Sequence, residues 1–103
     1  MIPMIYPLDP ILLVDDEEHF LLSAELTLSS NGIKNVETCR DSTGVMDLLK
    51  KKNYSLVVLD INMPNLSGLD LLPGITKKYP ETPVMRTFFN SFSPAYNFQD
   101  NEK

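Results

Sequence analysis

Two unbroken apolar runs, Ile11-Leu-Leu-Val14 and Leu56-Val-Val-Leu59, stand out from the mixed pattern of the rest of the chain. A continuous apolar run bounded by turn residues predicts a strand buried on both faces, as in a parallel sheet. Between the runs the period changes. Phe20, Ala24 and Leu28 recur at helical spacing, and Leu21, Leu22 and Leu26 widen that face, so residues 19–30 are predicted as an amphipathic helix. Asn31-Gly32 stops it, with glycine suited to a left-handed cap. Asn35-Val-Glu-Thr-Cys39 alternates polar and apolar, which predicts an edge strand half-buried at Val36 and Cys39. Asp41 or Ser42 then caps a second helix reaching to about Lys52, with Val45, Leu48 and Leu49 inward and Gly44 weakening its first turn. The second apolar run, read over 55–60, is the third strand. Ser67 caps a third helix from 68 to about 79 whose inner face is Leu69, Leu72 and Ile75 or a close variant. Pro73 disturbs part of one turn of that helix, Pro80 ends it, and Thr82-Pro83-Val-Met85 begins a fourth strand.

Strands alternating with helices across short connections imply right-handed crossovers, hence an α/β doubly wound parallel sheet with helices on both faces. The 103 residues suffice for one small domain. Residues 1–9, rich in proline, read as a short extended leader, 10–87 as the α/β domain, and 88–103 as an aromatic-rich tail without a helical or strand period.

Both apolar runs end in acid. Ile11–Val14 leads into Asp15-Asp16-Glu17-Glu18, and the third strand leads into Asp60. An acidic first helical turn, favoured by the macrodipole, accounts for Glu17 and Glu18 but less well for Asp15 and Asp16, which sit where the strand ends. Ligands in open α/β sheets bind at the carboxyl ends of the strands, and the two acidic ends meet if the first and third strands are neighbours, as in a 2-1-3-4 order. Three crowded carboxylates cannot all ionise cheaply without a cation. Oxygen donors with spare coordination positions suit Mg²⁺, which keeps waters and accepts phosphate oxygens. Asp60 is then placed to attack a phosphoryl group as a carboxylate nucleophile.

Composition narrows the partners. The net charge of −5 argues against direct nucleic-acid binding, which needs a basic patch. The one basic run, Lys50-Lys51-Lys52, reads as the solvated end of a helix, and His19 as a surface helix residue. The single cysteine, Cys39, cannot form an internal disulfide and points to a reducing, cytoplasmic setting. No stretch approaches the roughly 20 apolar residues of a membrane span.

The acidic pair after the first run, taken with Leu-Val-Val-Leu-Asp60-Ile-Asn-Met-Pro64-Asn-Leu-Ser-Gly68-Leu-Asp-Leu-Leu, resembles the receiver domain of two-component response regulators. The later Leu-Leu-Pro73-Gly-Ile and Tyr-Pro80-Glu-Thr-Pro83-Val segments are most similar to receivers of the nitrogen-regulation type of activator, and the match covers roughly residues 10 to 85. This resemblance implies a flavodoxin-like fold and a sensor histidine kinase as partner. It implies that Asp60 is the phosphoacceptor, Asp16 a direct Mg²⁺ ligand, Asp15 a ligand acting largely through water, and Asn62 a ligand through its backbone carbonyl. It also implies that Pro64 and Gly68 shape the loop that turns this carbonyl inward, although plain turn chemistry explains Asn62 and Gly68 as well.

The resemblance stops short of the end. The family's fourth strand finishes on a Ser or Thr whose hydroxyl binds the phosphate. Thr87 is the candidate here, but it comes one residue early, and a one-residue slip turns a side chain to the other face. Arg86 is out of place in a strand that should be buried. No Lys-Pro pair follows residue 80, so the family's last strand and helix read as missing or replaced. The sequence therefore supports a phosphorelay receiver that is not itself an enzyme. One alternative is a degenerate receiver acting as an interaction module. A less favoured one is a small phosphatase with an aspartyl nucleophile, whose usual second acid is Asn62 here. A fourth strand with an open edge and Phe88, Phe89, Phe92, Tyr96 and Phe98 beyond it predict a homodimer through that strand and the tail.

Overall fold

The computed structural model describes residues 5–63 and 67–87. Four parallel strands, β1 (Ile11–Val14), β2 (Val36–Cys39), β3 (Leu56–Asp60) and β4 (Val84–Thr87), lie in the order β2-β1-β3-β4. This is the doubly wound 2-1-3-4 arrangement expected from the sequence. Pro64, the tail 88–103 and any replacement for the receiver's last strand and helix lie outside the described residues.

The two apolar runs form the middle of the sheet because every side chain there has somewhere to go. β1 is buried at all four positions. Leu12 and Val14 join Val57 and Leu59 on one face, packed against Val45, Leu49, Leu71 and Ile75 of helices α2 (Val45–Lys51) and α3 (Gly68–Lys78). Ile11 and Leu13 face the other way, with Leu56 and Val58, toward α1 (Glu18–Ser30). Each fully buried aliphatic side chain contributes about 1.5–3 kcal/mol relative to exposure, so the alternation of faces along two short strands anchors both layers.

Local chemistry sets the helix ends. Glu17 caps α1 by accepting from the His19 N–H. At the far end Gly32 takes φ +89° while Ile33 N–H donates to Leu28 O at 2.9 Å, the left-handed termination expected of Asn31-Gly32. Asp41, rather than Ser42, provides the next cap, and a single 3-10 turn over Ser42–Gly44 precedes α2. α3 begins with a reciprocal capping box between Ser67 and Asp70. It runs through Pro73, on its exposed side, to Lys78. The segment before β1 is fastened to the start of β2: Tyr6 O accepts from the N–H groups of Lys34 and Asn35, and the Asn35 side chain donates to Pro7 O and Leu8 O.

Three local expectations are corrected. On α1, Leu21 is buried but Leu22 and Leu26 are exposed, because the sheet covers only the stripe of Phe20, Leu21, Ala24 and Leu28. On α3 the inward residues are Gly68, Leu71 and Ile75, whereas Leu69 is exposed. Gly68 lies against the end of β3, on the same buried side as Leu71 and Ile75. Arg86 is exposed, since β4 is the outermost strand among the described residues and only Val84 and Thr87 are turned into cover.

Candidate functional site

β1 and β3 are paired in register, Val14 beside Leu59, so the residues that follow, Asp15 and Asp60, emerge side by side at the carboxyl edge of the sheet. Both are buried, at 1% and 0% exposure, and Asp16 is half-buried beside them. One carboxylate oxygen from each of the three lies within 4.8 Å of the others.

The carboxylates are held by main-chain donors from the turns that follow them. Glu17 N–H donates to Asp15 Oδ1 at 2.8 Å, and Asn62 N–H donates to Asp60 Oδ1 at 3.0 Å. The backbone after each acid therefore folds back on it and fixes its rotamer. Asp15 N–H continues the ladder to Cys39 O at 3.1 Å, and Ile61 N–H reaches Thr87 O at 3.1 Å, so both strand ends are clamped from their outer neighbours. Met63, buried in the core, pins the chain just past Asn62.

Burial, together with the charges of Asp60, Asp16 and Glu17, pushes the Asp15 carboxyl from 3.8 up to about 6, even against the lowering effect of the Glu17 N–H bond. Its Oδ2 is buried without a hydrogen-bond partner among the described residues. A buried acceptor in that state costs free energy unless something positive or protic meets it. An all-oxygen donor set with such an atom at its centre fits a hard divalent cation.

Gly68 belongs to this site for a steric reason. A Cβ on it would stand 2.5 Å from Asp60 O and 2.9 Å from Ile61 Cα. The first residue of α3 thus lies directly against the backbone that carries Asp60, a contact only glycine permits. Its φ is not in the left-handed region, so close approach rather than turn conformation requires the glycine.

Asp15, Asp16 and Asp60 are thus brought together as the sequence suggested, and Asn62 contributes its N–H to Asp60. Thr87 is the strand partner of Asp60, yet its side chain lines an apolar groove on the α1 side with Leu13, Val58 and Met85. Its hydroxyl has no hydrogen-bond partner among the described residues. Sequence reasoning missed the part played by Glu17, and it singled out Gly68 for the shape of the loop rather than for its close approach to Asp60. Both are visible only once the backbone around the two acids is placed, though an acid directly after a strand-ending Asp-Asp pair is a usable hint.

The family model described as the response regulator receiver domain matches residues 11–91, which continues past residue 85, where the recognisable motifs stop. The cell cycle transcriptional regulator CtrA of Caulobacter vibrioides is 36% identical over 75 residues, covering 73% of this chain and 32% of its own length. The chain thus spans about a third of that relative. A receiver domain protein from Clostridium thermocellum superposes with a TM-score of 0.68 at 34% identity, over 76% of this chain and 63% of that one. The crystal structure of the histidine kinase ThkA in complex with the response regulator protein TrrA matches with a TM-score of 0.73 at 28% identity, over 88% of this chain and 75% of the matched one. With the same sheet order and an acidic cluster at its carboxyl edge, the chain belongs to the response regulator receiver domain family.

Proposed function

We propose that this receiver accepts a phosphoryl group on Asp60 from a sensor histidine kinase, with Mg²⁺ bound at the acidic cluster. The observation that carries the reading is the convergence of Asp15, Asp16 and Asp60 at the ends of adjacent strands, with their oxygens within 4.8 Å. Asp15, Asp16 and Asp60 would hold the ion together with the main-chain carbonyl of Asn62. Bound there, Mg²⁺ supplies the positive charge that lets an anionic phosphoryl group approach three carboxylates. The chain's own part is to present Asp60 as a nucleophile on a rigid strand, its Oδ1 held by the Asn62 N–H. A bond forms between a carboxylate oxygen and phosphorus as the bond from phosphorus to the donor nitrogen breaks, and the donor leaves with that electron pair. The likeness to a response regulator solved in complex with a histidine kinase supports the choice of donor.

On this reading the domain is a phosphoacceptor and not an enzyme, and a cytoplasmic setting is supported by the single cysteine. A homodimer through the outer edge of β4 is part of the same proposal, supported by the exposure of Met85 and Arg86 on that strand. A second reading, an interaction module that keeps the acidic cluster without the phosphate-driven switch, draws on Thr87, whose hydroxyl lies in an apolar groove wall and is not bonded to Asp60.

Intact-mass measurement after treatment with acetyl phosphate tests the first reading. One added phosphoryl group that requires Mg²⁺ and is absent in Asp60→Asn supports it. No incorporation at any Mg²⁺ concentration would leave the interaction module as the better account.

A further inference from the structure

The parallel sheet sorts charge along its strands. Each helix returns the chain to the edge where the strands begin, so the C-terminal ends of α1, α2 and α3 gather at that amino edge. Lys34 follows α1, Lys50, Lys51 and Lys52 close α2, and Lys77 and Lys78 close α3. These are six of the nine Lys and Arg residues of the chain, and all six are exposed. Among the described residues only Lys52 of the six is in an ion pair, with Glu37 at 2.6 Å. Asp9 and Glu81 are the exposed acids at the same edge. The Asp15-Asp16-Asp60 cluster lies at the other edge, a five-residue strand away, which is roughly 16 Å or two Debye lengths at physiological salt. A chain of net charge −5 thus has one positive pole.

The segment before β1 arrives at this pole and holds apolar side chains outward. Its backbone is tied down. Tyr6 O accepts from the N–H groups of Lys34 and Asn35, and the Asn35 side chain donates to Pro7 O and Leu8 O. Pro10 O accepts from Ser55 N–H at 2.9 Å, three residues after Lys52. Its side chains are not tied down: Ile5, Tyr6 and Leu8 are 59%, 66% and 77% exposed. Lys34 is therefore directly beside Tyr6, and the end of α2 is next to Pro10. The four strand starts span roughly 15 Å at about 4.8 Å spacing, so the leader and the lysines of α2 and α3 can meet one flat surface. A single exposed apolar residue needs no explanation, but three on one fastened strap beside unpaired lysines mark an interaction surface.

We propose that the amino edge of the sheet is a peripheral docking surface for an anionic phospholipid bilayer, with Lys34, Lys50, Lys51, Lys77 and Lys78 against the headgroups and Ile5, Tyr6 and Leu8 entering the interface. Stable surface binding takes two signals, and this edge has both. Each lysine close to an anionic leaflet raises the partition coefficient roughly five-fold. The few apolar side chains add burial, and a tyrosine suits the boundary between headgroup and acyl chain. A nucleic acid offers the same negative charge without an apolar layer, so the aliphatic Ile5 and Leu8 favour the bilayer. The acidic cluster is screened from the leaflet by its distance, so the net negative charge does not oppose docking. No described helix is long and apolar enough to cross a membrane, and the contact is with the surface alone. Docked in this way, the domain turns its carboxyl edge, with Asp15, Asp16 and Asp60, toward solution.

The whole 103-residue chain, kept in EDTA so that no divalent ion bridges the acidic cluster to lipid, should co-sediment with vesicles of phosphatidylcholine containing about 30% phosphatidylserine and not with phosphatidylcholine alone. Added salt should release it. The chain contains no tryptophan, so Tyr6→Trp introduces a single indole, whose emission should shift to the blue on binding. Lys50→Glu with Lys51→Glu, and separately Ile5→Ser with Leu8→Ser, should each lower the partition coefficient at least about tenfold. All four side chains are exposed, so far-ultraviolet circular dichroism should stay unchanged. No binding, equal binding to phosphatidylcholine alone, an unshifted indole, or either double variant binding like the wild type would overturn the assignment. Binding to a DNA duplex that depends on the lysines but not on Ile5 and Leu8 would also overturn it and make the pole a general polyanion site. Because the readout uses neither phosphate transfer nor Mg²⁺, its failure is distinct from any failure of the phosphoacceptor reading.

Discussion

Replacing Asp15 by asparagine should stabilise the metal-free domain and remove its response to Mg²⁺. Asparagine keeps an oxygen to accept the Glu17 N–H at 2.8 Å and puts an amide where the buried Oδ2 lacks a partner among the described residues. It also takes one negative charge out of the cluster. A carboxyl pushed from 3.8 up to about 6 binds its proton more tightly when folded than when unfolded. Its stabilising share is therefore fully present below pH 3.8 and is lost as pH rises through about 6, so at pH 7 the ionised group costs the fold. At about 1.4 kcal/mol per pH unit the cost is on the order of 3 kcal/mol. Part of it will return as imperfect packing of the amide, so Asp15→Asn should gain about 1–3 kcal/mol in urea unfolding at pH 7 without metal. The gain should shrink toward zero as pH falls to about 4. Adding Mg²⁺ at roughly ten times its dissociation constant should stabilise the wild type by about 1.4 kcal/mol and the variant hardly at all. A variant less stable than wild type at pH 7 without metal would refute the claim that the cluster is electrostatically strained. An undiminished Mg²⁺ effect would refute the role of Asp15 in holding the ion.

Further outcomes follow from the contacts around the site. Gly68→Ala would bring a Cβ to 2.5 Å from Asp60 O, so it should destabilise by about 1–3 kcal/mol in denaturant titration and slow phosphorylation of Asp60, although alanine favours helix by about 1 kcal/mol; a net gain in stability would disprove the close-approach role. Ser67→Ala removes the capping-box hydroxyl of α3 and should cost about 1 kcal/mol, with hydrogen exchange rising first at the Asp70 N–H; unchanged exchange there would exclude the cap. Tyr54→Phe deletes a buried hydroxyl that donates to Glu37 at 2.7 Å and should cost about 1.5–3 kcal/mol, while the Glu37 carboxyl, which the Lys52 and Tyr54 bonds hold low, should titrate higher by NMR; an unmoved Glu37 would show that the bond contributes nothing.

What the sequence revealed depended on whether a structural cause was local. Ile11–Val14 and Leu56–Leu59 are legible as central strands because burial on both faces leaves no polar position in the run. Asp15 and Asp60 are legible as neighbours only with the strand order that the resemblance to receivers implies, which places the first and third strands side by side. The Asp41 cap and the Gly32 turn depend on backbone within a few residues, and so were readable too. Leu69 was misplaced because the buried side of α3 runs through Gly68, Leu71 and Ile75, and the contact of Gly68 with the Asp60 backbone is one that no periodicity encodes. Leu22 and Leu26 satisfy the helical pattern, but the sheet beneath α1 is too narrow to cover them. Which member of the Asp15-Asp16 pair is buried was unreadable, since it is set by the bond from Glu17 and the ladder to Cys39. The Lys52–Glu37–Tyr54 cluster joins residues 15 and 17 positions apart across β2 and the α2–β3 connection, so no local motif announces it.

The central claim is that Asp60 is a phosphoacceptor whose reactivity depends on a divalent ion held by its acidic neighbours. Peptide-level mass mapping after exposure to a small phosphodonor, run in parallel with Mg²⁺ and with EDTA on wild type and Asp16→Ala, tests it most directly. The phosphoryl group should be found on Asp60 alone, should be absent in EDTA, and should fall at least about tenfold in Asp16→Ala, the equivalent of about 1.4 kcal/mol in the activation barrier. A phosphoryl group on any other residue, or equal incorporation with Mg²⁺ and with EDTA, would contradict it.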